Sequence, residues 1–211
     1  MYDELINSLP LNKNINVVDV GARNGMTLLG DFSQYCNFYG FEPNPEEYKK
    51  LITDRTDRQL SKKGSIPKFK KSKYFCKAIS NEINDLVDFY IKHNVGSSTL
   101  SGRTNSKITN NIFVDDKEKL ENHHATNKII GTSTDTIDNI FSNEQIDFLK
   151  IDCEGSDYFV LLGCNNLLEN KKILVIKTEV FFFSIYENKT PTLADQMTFL
   201  KSKGYRMIYR F

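Results

Sequence analysis

Three stretches of this 211-residue chain hold the residue types from which a site is built: VVDVGARNG from Val17, YGFEPNPEEY from Tyr39, and IDFLKIDCEGSDYFVLLG from Ile146. Glycines that follow a buried strand let a ligand approach the backbone and the start of the next helix. A dinucleotide turn uses G-x-G-x-x-G. Counting from Gly21, the later glycine positions are filled by Arg23 and Met26, so that pattern fails. The pattern present is D-x-G-x-x-x-G, from Asp19 through Gly21 to Gly25. A carboxylate at Asp19 would repel a pyrophosphate and suits a ligand carrying an ammonium and a sulfonium. Taken alone, the turn also fits a plain strand-to-helix connection.

Glu42 lies 21 positions after Gly21, and an acid about 20 residues beyond such a turn can accept hydrogen bonds from both ribose hydroxyls. The plainer alternative is an exposed loop acid. Asp152 and Glu154 stand at the end of an apolar run, where two carboxylates are costly unless they are used or paired. At least one is therefore expected to touch cofactor or substrate, the alternative being a helix cap. Cys76 to Ser80 ends a third strand, where backbone and the apolar side chains of Ala78 and Ile79 suit an adenine edge as well as an ordinary buried strand end.

The elements that must position these residues read as alternating strands and helices, the pattern of a mostly parallel sheet covered by helices. Strands are expected at Ile15–Val20, Asn37–Phe41, Tyr74–Ile79, Leu86–Ile91, Ile146–Ile151, Ile173–Val180 and Tyr205–Phe211, with further strand and turn character over Lys128–Ile140. Met26–Phe32 reads as a short helix. Asn44-Pro45-Glu46-Glu47 is a strong helix start, in which Asn caps, Pro fits the first turn and the acids complement the positive end. Ser156 opens a helix to about Leu168. Leu193, Met197 and Leu200 share one helix face, closed by Gly204. Thr56–Lys73 reads as a basic loop, its run of lysines from Lys62 most simply a solvated face. Asn94–Glu121 reads as a long loop or lid. A parallel sheet of this order places its ligand at the carboxyl ends of the strands.

Composition bounds the rest. The length suits one domain over residues 1–211. A hydrophobic fraction of 39% supports a core, and a net charge of +1 gives no general attraction to nucleic acid or membrane. The absence of a long apolar run predicts no membrane span. Cys36, Cys76, Cys153 and Cys164 are far apart and sit in or beside apolar runs, which reads as buried reduced thiols in a cytoplasmic protein.

VVDVGARNG, FYGFEPNPEEY, FCKAIS, GSSTL, STDTIDNIF, IDFLKIDCEGSDYFVLLG and ILVIKTEVF occur in this order over nearly the whole chain. Together they resemble the FkbM family of methyltransferases. The resemblance implies a class I methyltransferase fold: Rossmann-like, α/β, a mostly parallel sheet with helices on both faces. It implies S-adenosyl-L-methionine as methyl donor and a hydroxyl acceptor on a glycan or other natural product. The fold ordinarily ends in an antiparallel strand. With the chain stopping at Phe211, that sheet position is expected to be open, either in a fragment or because the strand is missing. Arg23 stands where family members commonly have Asn.

Carried over by motif, the expected cofactor residues are Asp19, Gly21, Ala22, Arg23, Gly25, Glu42, Pro43, Ala78, Ile79 and Asp152. Asp152 and Glu154 are the expected catalytic pair, Asp152 being preferred as the base because its strand end points at the donor. His93, Ser97, Ser98 and Glu179 are expected on the substrate side, with the GSSTL hydroxyls suited to a polar acceptor. His123 and His124 read as solvent-exposed loop residues. Asp152 and Glu154 are oxygen ligands of the kind magnesium takes, but two acids do not make a site, and no metal is expected. A different class of reading is a catalytically silent module that binds cofactor or a partner within a larger protein.

Overall fold

The computed structural model describes residues 15–56, 67–100, 125–182 and 191–208. Five strands form one sheet: β1 (Ile15–Val20), β2 (Cys36–Phe41), β3 (Lys71–Phe75), β7 (Ile146–Ile151) and β8 (Ile173–Thr178). Their order is β3-β2-β1-β7-β8, and every neighbouring pair is parallel. The remaining strands, β4 (Ala78–Ile79), β5 (Asn84–Lys92) and β6 (Thr126–Asp135), make a second sheet in the order β4-β6-β5. Within it β4 runs parallel and β5 antiparallel to β6.

β1 is central because its residues are β-branched and apolar on both faces. Val18 and Val20 join one buried cluster with Phe41, Leu149 and Ile151, while Val17 joins a second with Met26, Cys36 and Phe38. Each such side chain contributes about 1.5–3 kcal/mol on full burial. β7 lies on one side of β1 and β2 on the other, so the strand order reverses at β1, and a crevice opens at the carboxyl ends beside that reversal.

Five helices complete the described chain: α1 (Pro45–Ile52), α2 (Ile137–Phe141), α3 (Asp157–Leu162), α4 (Asn165–Glu169) and α5 (Leu193–Ser202). α1 starts as its sequence dictates. The Asn44 side chain accepts from the Glu46 amide, Pro45 fills the first turn, and Glu46 and Glu47 follow. Gly204 adopts φ +78° just past α5, where its amide closes on the Lys201 carbonyl.

Several sequence expectations need correction. Met26–Phe32 forms no α-helix, because Asn24, Gly25 and Gly30 all take positive φ. A 3-10 turn over Gly30–Tyr35 replaces it. The expected strand Tyr74–Ile79 is two strands in different sheets, broken at Cys76-Lys77. The helix expected from Ser156 to Leu168 is also two, interrupted at Gly163, where a Cβ would come within 2.1 Å of the Ser80 carbonyl oxygen. The turn expected after β6 is α2, capped by Thr136 through the Asn139 amide.

Tyr205–Ile208 forms no strand. The Tyr205 hydroxyl instead donates to the Ile173 carbonyl at 2.5 Å, across the start of β8. Among the described residues β8 has no outer neighbour. The four cysteines are free, but Cys76 is exposed and Cys153 only half-buried; Cys76 follows an edge strand whose Phe75 takes the inward position, stacked on Phe41. No helix among the described residues is long and apolar enough to cross a membrane.

Candidate active site

The carboxyl ends of β1, β2 and β7 border one cleft, walled by Gly21, Arg23, Glu42, Pro43, Ala78, Ile79, Ser98, Asp152 and Glu154 among others. Most residues singled out in the sequence therefore meet in space. Ala22 and Ser97 are buried. Neither they nor Gly25 reach the cleft wall. His93 is exposed and also off the wall. His123 and His124 lie outside the described residues.

The glycine turn is shaped by close approach. Gly21 holds φ +80°, and a Cβ there would lie 2.1 Å from the Asp152 carbonyl oxygen. Only glycine lets the ends of β1 and β7 come so near. The amides of Gly21 and Ala22 both bond the Phe41 carbonyl, which ties the turn to β2. Arg23 leaves the turn sideways: its Nε donates to Glu47 of α1 at 3.0 Å, and its guanidinium reaches Gly96 of the 3-10 turn Val95–Ser97.

Glu42 is 5% exposed, a buried acid rather than a loop one. Its Oε1 accepts from the Asn44 amide at 2.8 Å. Burial pushes its carboxyl up to about 7, the Asn44 bond works against that, and the nearby Glu47 carboxylate adds to it.

Asp19 sits lower than its motif suggests. It is 1% exposed, off the cleft wall, and its Oδ1 accepts from Lys150 Nζ at 2.9 Å. Lys150 also stands 3.4 Å from Asp152 Oδ2, and the Asp152 side chain is 50% exposed. Burial raises the Asp19 carboxyl, and Lys150 opposes the shift. Burial disfavours the Lys150 charge, but Asp19 and Asp152 outweigh it and hold the ammonium above the ordinary lysine value. Lys150 is not among the residues expected from sequence. The signal was available: a lysine inside a buried run, two residues before Asp152.

The turn Asp152 to Ser156 is held by Asp157 at the start of α3. Its carboxylate accepts from the Cys153 amide at 3.3 Å and the Gly155 amide at 3.1 Å, which lets Glu154 and Gly155 take φ +51° and +89°. Neither Asp152 nor Glu154 caps α3, whose start carries no side-chain cap; Asp157 braces the turn instead. Ser156 and Thr99, both buried, share a hydroxyl hydrogen bond at 3.1 Å. That bond fastens the Val95–Leu100 segment over the cleft.

Glu179 follows β8 and lies beside these acids, off the cleft wall itself. Carboxylate oxygens of Asp152, Glu154 and Glu179 lie within 4.8 Å of one another, so the pair seen in sequence is a trio able to hold a cationic group. Glu179 Oε2 is buried with no hydrogen-bond partner. Burial, then Asp157 and Asp152, push this carboxyl up to about 7.

With this geometry in hand, the comparison with known families is decisive: the methyltransferase FkbM domain matches residues 19–207. The chain belongs to the FkbM methyltransferase family. The matched stretch runs from Asp19 in β1 to Met207 beyond α5, and so includes every wall of the cleft. No curated protein and no solved structure matches the chain.

Proposed function

We propose that this FkbM-family chain is an S-adenosylmethionine-dependent O-methyltransferase acting on a hydroxyl of a glycan or other natural product. The observation that carries this reading is the meeting in one cleft of an open glycine turn, a buried acid at ribose distance along the chain, and the carboxylates of Asp152 and Glu154, with Glu179 close beside them. The residues suit that cofactor. Gly21, at φ +80° with no Cβ, keeps the turn open beside Asp152, and Asp152 and Glu154 on the cleft wall offer acceptors to a ligand with a cationic end. When bound, S-adenosylmethionine supplies a methyl group on a positively charged sulfur, a good leaving group, so that positioning supplies much of the rate.

The chain's own residues divide the remaining work. Glu42 accepts the ribose hydroxyls, and Ala78 with Ile79 gives an apolar wall for adenine. Asp152 and Glu154 face the cationic end of the donor. Asp152 already has an ammonium 3.4 Å away, which suits it to holding charge. Glu179, raised to about 7 with a buried free oxygen, suits the proton of an acceptor hydroxyl, since a base works best with its pKa near the working pH. Ser98, its hydroxyl held between the Val95 carbonyl and the Lys92 amide, and Thr99, anchored by Ser156, fix the wall against which a polar acceptor would lie.

Incubation with methyl-labelled S-adenosylmethionine and a panel of sugars and polyhydroxylated natural products tests this. Label in an ether-linked product and stoichiometric S-adenosylhomocysteine are expected. Label on nitrogen or sulfur only, or none on any acceptor, would contradict the hydroxyl assignment.

A further inference from the structure

Parallel register sets Asp19 of β1 beside Lys150 of β7, and Lys150 beside Lys177 of β8. Two residues further on stand Gly21, Asp152 and Glu179. Residues two apart on a strand share a face, so Lys150 and Asp152 project to the same side, and Gly21 adds no side chain next to them. A lysine ammonium has three donors. One is on Asp19 at 2.9 Å, and Asp152 lies 3.4 Å away. No partner takes the third among the described residues, and Lys150 lines the cleft with its side chain 16% exposed. Partnering a buried aspartate would explain the Asp19 contact alone. It would not explain why the same ammonium borders the cleft or stands against a half-exposed carboxylate.

An adjacent cation and anion at the edge of a cleft are complementary to a zwitterion, in which an ammonium and a carboxylate share one carbon. We propose that Lys150 and Asp152 together bind the amino-acid end of the cofactor, Lys150 donating to the α-carboxylate and Asp152 accepting from the α-ammonium. This rests on the S-adenosylmethionine reading above and goes beyond it. Asp19, out of reach of the cleft, is then a positioning residue that holds Lys150 from beneath.

The test compares S-adenosylmethionine with decarboxylated S-adenosylmethionine, which keeps the sulfonium and the ammonium and lacks the carboxylate. Calorimetry on the full chain should show wild type preferring the carboxylated form by about tenfold or more, the range for a charged hydrogen bond. Lys150→Met should abolish that preference through loss of S-adenosylmethionine affinity, with adenosine affinity unchanged. Lys150→Arg should keep it. Lys150→Met leaves Asp19 buried without a cation, so Asp19→Asn/Lys150→Met provides a second variant free of that charge, with the same loss of preference expected. Equal affinity of wild type for both ligands, or a preference that survives in the Lys150→Met backgrounds, would overturn the zwitterion pair and leave the cofactor reading standing. Wild type that binds neither ligand would remove both.

Discussion

Glu42 is a buried acid and Glu179 a half-buried one, and both carry their consequence in pH. Their carboxyls stand near 7 against an ordinary 4.5. A raised acid contributes stability in its protonated form, present below about 4.5 and lost as pH rises through about 7. The ligand-free protein should therefore lose stability at these sites over that window. Glu42→Gln should remove its share and raise ligand-free stability at pH 8 by about 1–3 kcal/mol, as measured by urea denaturation. The same change should weaken S-adenosylmethionine about tenfold or more and flatten the rise in affinity expected of wild type between pH 6 and 8. That pairing of higher stability with lower affinity marks a group kept for function. Glu179→Gln should lower turnover by about 10²–10⁴-fold with S-adenosylmethionine affinity within a few-fold of wild type. An equal fall in both would instead make Glu179 a binding residue.

Glycine and valine positions decide the elements. Gly21→Ala would place a Cβ 2.1 Å from the Asp152 carbonyl oxygen at φ +80°, forcing β1 and β7 apart. A loss of more than about 2 kcal/mol is expected in chemical denaturation. Leu149, fully buried between the sheet and its helices, should lose about 2–5 kcal/mol as Leu149→Ala. β1 and β7 were legible to the residue, because continuous β-branched and apolar runs bounded by Gly21 and Asp152 have one reading. The division of Tyr74–Ile79 between two sheets was not, since Cys76-Lys77 carries no glycine or proline to mark the break. Met26–Phe32 misled because helical spacing of Met26, Leu28, Leu29 and Phe32 says nothing of the left-handed backbone at Asn24, Gly25 and Gly30. That Glu42 and Asp152 stand at strand ends facing one cleft was legible. Lys150 was hidden because its meaning lies in the cross-strand register with Asp19, which no single segment contains.

The whole molecule places its cleft where the strand order turns back, at β1 between β2 and β7, with the second sheet and the Val95–Leu100 segment forming the opposite wall. A ligand that joins these parts should stabilise all of them. At a concentration of about 100 times Kd it adds about 2.7 kcal/mol, or roughly 5–11 °C in Tm for a chain of this size. The most direct single measurement is calorimetric titration of the wild-type chain with S-adenosylmethionine at pH 8. One saturable site per chain is expected. No heat, together with no thermal shift at millimolar ligand, would contradict the claim that this cleft is built for a methyl donor.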